Sequence, residues 1–180
     1  MFKRSLTTIL LCICLTAAVY SADKASAGWS VVRQASWNTN FQSIYFVDER
    51  TGWAVGDMGV VIHTDNGGLV WTAQDSHTDI FLRAVYFLDK KTGWAVGDSG
   101  VIIHTRDGGN TWLPQKSNTS DPLYSVYFTD SKNGAVAGNG AILHTSDGGL
   151  IWKAQFGDPD KVLLSIYFTD PQTGWAAGLN

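Results

Sequence analysis

The stretch that decides the fold is YFLDKKTGWAVGDSGVIIHTRDGGNTW, residues 86–112. Its opening Tyr-Phe pair recurs with spacings of 41, 41 and 40 residues, at Tyr45, Tyr86, Tyr127 and Tyr167. The same spacing is kept by the Gly-Trp, His-Thr and Gly-Gly pairs and by the Trp that closes each unit. The exception is Ala135, which stands in the third unit where the others have the first Trp. Self-similarity at a period near forty residues is the signature of a repeat architecture.

Each unit divides into four short strands separated by turn residues. The first strand is nearly all apolar, which predicts burial on both of its faces. The second and third strands are joined by tight turns at 57–59, 98–100 and, with one residue fewer, Asn139-Gly140. We therefore predict an all-β protein, a β-propeller of four-stranded blades with three complete units and a partial fourth. The predicted boundaries are 41–74, 82–115, 123–155 and 163–180, with 29–34 as an orphan outer strand.

Residues 1–27 have the pattern of a signal peptide. Lys3 and Arg4 precede an apolar run, and small residues stand before Gly28. We expect cleavage there, which leaves 28–180 as the exported propeller without a membrane span; an uncleaved signal anchor is the alternative. Both cysteines, Cys12 and Cys14, lie in the removed segment, so the mature chain would form no disulfide.

The charge of the mature chain argues against nucleic acid as a partner. Removal of 1–27 leaves ten basic against fifteen acidic residues, a net charge of −5. Phosphate backbones are bound by clustered Lys and Arg, and no such cluster is present in the sequence.

Three segments resemble the Asp-box, or bacterial neuraminidase repeat, Ser/Thr-x-Asp-x-Gly-x-Thr-Trp. They are 64–71, 105–112 and 145–152; in the first, Asp65 is displaced by one position and Asn66 takes its place. A short acceptor side chain can bind the N–H groups of its own turn, so we interpret these residues as structural. The predicted structural set is Asp65, Asn66, Gly68, Trp71, Asp107, Gly109, Trp112, Asp147, Gly149 and Trp152.

The complete unit is similar to that of the photosystem II stability and assembly factors of cyanobacteria and chloroplasts, over residues 29–180. The resemblance implies a seven-bladed, non-enzymatic propeller that binds a reaction-centre precursor on the lumenal or periplasmic side. We accordingly expect a periplasmic, extracellular or thylakoid-lumen location. The chain departs from the arginine patch that the resemblance would imply, because its four mature arginines fall in different columns of the repeat.

The sequence offers little for catalysis or metal binding. His63, His104 and His144 occupy one column in three different blades, too far apart to share a zinc ion. The mature chain has a single glutamate, Glu49, and no arginine triad of the sialidase kind. We therefore predict no catalytic residue, no metal and no cofactor.

Binding is predicted at the loops that join each fourth strand to the next unit, because these loops vary while the scaffold repeats. They span 75–80, 116–122 and 156–162, and their acidic character favours a basic protein partner; simple solvated loops are the alternative. The candidate residues are Asp75, Asp79, Lys116, Asp121, Asp158 and Asp160.

Two functions follow from the sequence: a protein-binding or assembly factor, and alternatively a glycan-binding or glycosidase-related Asp-box protein of the cell envelope. If the chain is complete, its exposed strand edges predict self-association.

Overall fold

A computed structural model describes residues 18–22, 29–34 and 39–179, the first two ranges by their backbone alone. The predicted fold class is confirmed: the described residues form three four-stranded antiparallel sheets and one two-stranded sheet. No helix among these residues is long and apolar enough to cross a membrane. The predicted signal peptide lies, apart from 18–22, outside the described residues and stays a prediction.

The two-stranded sheet pairs β1 (Ala18–Ala22) with β2 (Trp29–Gln34) in antiparallel register. We expected 29–34 to stand alone as the outer strand of another blade. The structure instead gives β2 a partner that is close to it in sequence, and local pairing of this kind has a low loop-closure entropy.

Blade 1 contains β3 (Phe41–Phe46), β4 (Gly52–Gly56), β5 (Val61–Thr64) and β6 (Thr72–Gln74), hydrogen-bonded in that order. Blade 2 repeats this arrangement with β7 (Leu82–Phe87), β8 (Gly93–Gly97), β9 (Ile102–Thr105) and β10 (Leu113–Gln115). A short 3₁₀ turn joins the second and third strands of each blade, at Asp57–Gly59 and Asp98–Gly100.

The third sheet has longer strands than the sequence predicts. Its order is β11 (Leu123–Phe128), β12 (Gly134–Thr145), β13 (Lys153–Asp170) and β14 (Thr173–Leu179). The strand β12 runs through the predicted turn, where Gly140 has a φ of +70°. The strand β13 joins the fourth strand of the third unit to the first strand of the fourth, so its two halves pair with β12 and β14 respectively.

The apolar core lies between sheets. One buried cluster joins blades 1 and 2, and a second joins blade 2 to the third sheet. The first strands β7 and β11 contribute buried side chains to these clusters. The prediction of burial on both faces was wrong for β3, whose residues alternate between half-buried and exposed. The reason is that no preceding blade packs against β3 among the described residues.

Candidate functional site

The Asp-box turns close on themselves through side chain to backbone hydrogen bonds. In blade 2, the Thr105 hydroxyl donates to Asp107 Oδ1 at 2.8 Å and accepts from the Gly109 N–H at 2.8 Å. The same carboxylate oxygen accepts from the Thr111 N–H at 2.9 Å. This arrangement closes the turn that leads into Trp112, which is fully buried.

The third unit repeats this turn, and the first unit builds it with an amide. Asp147 Oδ1 accepts from the Thr145 hydroxyl at 2.8 Å and from the Ile151 N–H at 2.9 Å. In blade 1, Asn66 Oδ1 accepts from Thr64 at 3.0 Å and from the Val70 N–H at 2.9 Å. The displaced Asp65 is exposed, and its side chain does not enter the turn.

The hydrogen bonds of the turns favour the ionised carboxylates. The pKa of Asp107 lies below its usual value, chiefly because the Thr111 N–H donates to it. The pKa of Asp147 is lowered in the same way by the Ile151 N–H and then by Thr145. A general acid needs a raised carboxyl pKa, so neither group has the environment of a proton donor.

Glutamines at the ends of the fourth strands join neighbouring blades. Gln74 Nε2 donates to the Gly108 carbonyl at 2.9 Å, and Gln74 Oε1 accepts from Trp112 Nε1 at 3.4 Å. The Gln74 side chain also lies so close to Gly109 that a Cβ there would collide with it. Gln115 makes the equivalent bonds to Gly148, at 2.9 Å, and to Trp152, at 3.2 Å.

Sequence reasoning missed the role of this glutamine column. The available signal was the distance along the chain: Gln74 and Gln115 precede the first glycine of the next Asp-box by 34 and 33 residues, respectively. A polar side chain that recurs in phase with the next unit's turn indicates an inter-blade bond. The Asp-box therefore fixes both its own turn and the preceding blade.

The three histidines of one column remain in separate blades. His63 packs against Trp53, with ring centroids 4.9 Å apart, and His104 stacks on Trp94 at 4.7 Å. Burial lowers the pKa of His63, and burial followed by the charge of Arg106 lowers that of His104 to about 4. Within the described ranges, no three His, Cys, Asp or Glu side chains form a group that could hold a metal.

The predicted binding loops lie at the same end of the blades as the tight turns, opposite the Asp-boxes. Ser76 Oγ donates to the Gly59 carbonyl at 2.6 Å, which links the first loop to the first tight turn. Gly100, with a φ of +69°, lies against the Thr119 carbonyl, and a side chain there would collide with it. We call the surface formed by 75–80, 116–122 and 156–162 the loop face.

The loop face contains two grooves that bring several predicted residues together. The larger groove runs between the first two loops beside Ser99, and Lys116 contributes to its lining. The smaller groove places Asp121 beside Asp158 and the Asn139-Gly140 turn. Asp75 and Asp79 are exposed and line neither groove.

The third loop differs from its predicted form. We expected 156–162 to be a variable loop, but it belongs to β13. The pairing moves from Ala141 with Gly157 to Asn139 with Val162, so 158–161 bulge out of the ladder. Asp158 and Asp160 lie in this bulge, where Asp158 Oδ1 accepts from the Asp160 N–H at 3.1 Å.

A paired arginine also lies at the loop face. Arg83 Nε and Nη2 donate to the two carboxylate oxygens of Asp98, each at 2.8 Å. The guanidinium also lies 5.8 Å from the ring of Phe81 and 5.9 Å from that of Tyr124. Because the four mature arginines fall in different columns of the repeat, sequence reasoning did not predict this bidentate pair with a turn aspartate.

Comparison with known proteins finds a matching family and similar solved structures. Residues 21–160 match the family described as photosynthesis system II assembly factor YCF48. The structure of YCF48 bound to D1 peptide is 26% identical, with a TM-score of 0.58, over 64% of this chain and 40% of that one. The chain thus spans less than half the length of that solved relative.

Other solved structures share the fold alone. An ancestral GH74 enzyme is 14% identical with a TM-score of 0.62, and covers 76% of this chain and 21% of its own. The GH74 enzyme of Niastella koreensis is 15% identical with a TM-score of 0.60, over 77% of this chain and 26% of its own. No curated protein matches the sequence.

Proposed function

The chain belongs to the family of photosystem II assembly factors described as YCF48, and we propose that it is a non-enzymatic, protein-binding propeller that takes part in such assembly. The observation that carries the proposal is a loop face on a rigid scaffold, in a relative of a protein solved with a bound D1 peptide. We propose the loop face as the contact surface. A D1 segment, or a protein segment like it, is the proposed partner.

The structure of the loop face supports recognition of an extended segment. The groove between the first two loops is lined by Ser, Thr, Asn and Gln side chains together with the apolar Val101, Ile102 and Pro114. Apolar walls with a few fixed polar groups are typical of ligand grooves. The loops are held by bonds to the turns, as Ser76 is to Gly59, so binding requires little further ordering.

The acidic side chains of the loop face determine which partners it prefers. Asp75, Asp79 and Asp121 are exposed carboxylates of the first two loops. Asp160 adds another in the bulge of β13, whereas the charge of Arg83 is neutralised by Asp98. Electrostatic complementarity steers association and suppresses wrong partners, so a segment with Lys or Arg is favoured.

The experiment measures binding of a fluorescently labelled D1 peptide by anisotropy. We expect saturable binding to the wild-type chain and at least about tenfold weaker binding after charge reversal of Asp79, Asp121 and Asp160 to Lys, a loss of about 1.4 kcal/mol. The control reverses the charge of two exposed acidic residues at the opposite end, Glu49→Lys and Asp65→Lys. Equal affinity in the loop variant and the control would contradict the proposed surface.

The absence of catalysis is part of the proposal. It is supported by the aspartates of the Asp-box turns, whose carboxylates bind the N–H groups of Thr111 and Ile151 and are held ionised. The experiment is a reducing-sugar assay on a panel of polysaccharides. Turnover by the purified chain would contradict the proposal.

A glycan-directed protein is the second candidate, since GH74 enzymes share the fold. The two candidates are separated by the ligand. A glycan-directed protein would be retarded in affinity electrophoresis through polysaccharide gels and would not bind the D1 peptide. An assembly factor would bind the peptide and would not be retarded by the polysaccharide.

Export is proposed from the basic start and apolar run of residues 1–20. Mass spectrometry of the protein from its native cells tests this. Recovery from the periplasm, exterior or lumen with Gly28 as the first residue supports export, whereas an intact Met1 would contradict cleavage.

A further inference from the structure

Three asparagines of the chain stand directly before a glycine: Asn66, Asn133 and Asn139. In an Asn-Gly sequence the amide nitrogen of the glycine can attack the side-chain carbonyl of the asparagine, because glycine has no Cβ to hinder the approach. The attack requires an asparagine side chain that is free to turn towards that nitrogen. Since the three sites share the same dipeptide, the fold decides which of them reacts.

The side chain of Asn66 is held inside its Asp-box turn. Asn66 Oδ1 accepts from the Thr64 hydroxyl at 3.0 Å and from the Val70 N–H at 2.9 Å. The N–H of Gly67, the nitrogen that would attack, donates to the Arg50 carbonyl at 2.8 Å. Both reacting groups therefore have other partners.

The side chain of Asn133 is held by a carboxylate. Asn133 Nδ2 donates to Asp130 Oδ2 at 2.8 Å, and the Asn133 N–H donates to Asp130 Oδ1 at 2.8 Å. Gly134 is buried and is paired with Phe128 in the strand ladder. This site is therefore closed to the reaction as well.

Asn139 differs because only its backbone is fixed. Its N–H donates to the Pro122 carbonyl at 2.9 Å, whereas its side chain makes no hydrogen bond to any residue that the structure describes. Gly140 lies where the register of β12 against β13 is interrupted, between Asn139 and Ala141. Both residues of the turn are partly exposed and line the smaller groove of the loop face, which has a volume of about 170 Å³. That volume is far above the roughly 10–15 Å³ that one water needs.

We propose that Asn139 is a site of spontaneous deamidation in the folded chain. The Gly140 nitrogen gives up its proton to solvent and attacks Cγ of Asn139, so that a C–N bond forms between them. The bond from Cγ to Nδ2 breaks, and ammonia leaves with a proton taken from solvent. Water then opens the resulting succinimide at either of its two carbonyls. The product at position 139 is an aspartate or an isoaspartate, and each carries a negative charge in place of the neutral amide.

The equivalent residues of the other two tight turns are already acidic. Asp57 and Asp98 begin those turns, and their N–H groups, like that of Asn139, donate to the carbonyl that precedes the first strand of the blade. Deamidation to aspartate gives the third turn the carboxylate of the other two. It also adds a negative charge to the groove that contains Asp121 and Asp158. The modification takes place whether or not the loop face binds a partner; where the face binds one, the new charge strengthens its preference for a basic segment.

The test is peptide mapping by mass spectrometry of the full chain after incubation in mildly alkaline and mildly acidic buffer. We expect deamidation at Asn139 that is faster in the alkaline buffer, where more of the attacking nitrogen is deprotonated. Deamidation at Asn66 and Asn133 should be at least about tenfold slower, the effect on a rate of hydrogen bonds that must first break. Asn139→Gln, whose longer side chain closes the ring slowly, should abolish the change at that position.

The same chain unfolded in guanidinium chloride is the matched control, because the fold then protects none of the three sites. We expect Asn66, Asn133 and Asn139 to react at similar rates there, and an isoaspartate-specific methyltransferase should label all three. Equal rates at the three sites in the folded chain would overturn the proposal. So would a folded chain in which Asn139 stays intact while it reacts in the unfolded one.

Discussion

The indole ring of Trp53 in blade 1 lies flat on the phenyl ring of Phe87 in blade 2, with centroids 3.5 Å apart and an angle of 8° between the planes. Trp94 and Phe128 repeat this contact at 3.5 Å and 10° across the next junction. Neighbouring blades are separate sheets, so these stacks and the glutamine bonds connect elements that share no strand pairing.

The first prediction concerns this stack. Trp53→Ala should lower the free energy of unfolding by about 3–5 kcal/mol, since it removes a buried ring and leaves a cavity at the junction. Urea denaturation measures the change. Trp175→Ala is the matched control, because Trp175 occupies the same column with 58% of its surface exposed. Equal losses in the two variants would show that the stack contributes nothing specific.

The fold class could be predicted because the repeat shows which residues are equivalent in successive units. Four strands per unit can be located from the tight turns, the closing tryptophans and the Tyr-Phe pairs. No knowledge of contacts between distant residues is needed. The Asn66 substitution was predictable too, since the turn requires only an acceptor oxygen at that position.

The second prediction concerns the glutamine that bridges two blades. Gln115→Ala leaves the Gly148 carbonyl and Trp152 Nε1 without their partner, so the free energy of unfolding should fall by about 1–3 kcal/mol. Thermal or urea denaturation measures the loss. Gln155→Ala is the control at the equivalent position, where the side chain is exposed. A control variant as destabilised as Gln115→Ala would contradict an inter-blade role.

The rest of the structure depends on contacts that a comparison of equivalent positions in the units does not reveal. The merging of two predicted strands into β13 follows from the pairing of its halves with β12 and β14. The Arg83–Asp98 pair joins residues of different columns in one blade, so column-by-column comparison cannot find it.

The third prediction concerns the Asp-box. Asp107→Ala removes the acceptor for the Thr105 hydroxyl and the Thr111 N–H, and should lower stability by about 1 kcal/mol. Asp65→Ala, in the equivalent turn of blade 1, should change nothing measurable because Asn66 supplies that acceptor. Differential scanning calorimetry measures both. The interpretation fails if Asp65→Ala is the more damaging substitution.

The fourth prediction concerns pH. The pKa of His104 is about 4 in the folded chain, against 6.5 for a free histidine, because the ring is buried. Between these values the unfolded chain binds more protons, so stability falls as the pH is lowered from 6.5 towards 4. The full effect is about 3 kcal/mol.

Urea titrations at pH 7 and pH 5 test this, with His104→Phe as the variant. We expect a smaller loss between the two pH values in His104→Phe than in the wild type. His77→Gln is the control, because it removes a histidine that is exposed in the first loop rather than buried between sheets. Identical pH dependence in the wild type and His104→Phe would contradict the assignment.

Hydrogen–deuterium exchange of the chain, with and without D1 peptide, shows which segments a partner protects. We expect the peptide to slow amide exchange in 75–80, 116–122 and 156–162 and to leave exchange in the Asp-box turns 65–71, 106–112 and 146–152 unchanged. Unchanged exchange throughout, or protection confined to the Asp-box turns, would contradict a protein-binding loop face.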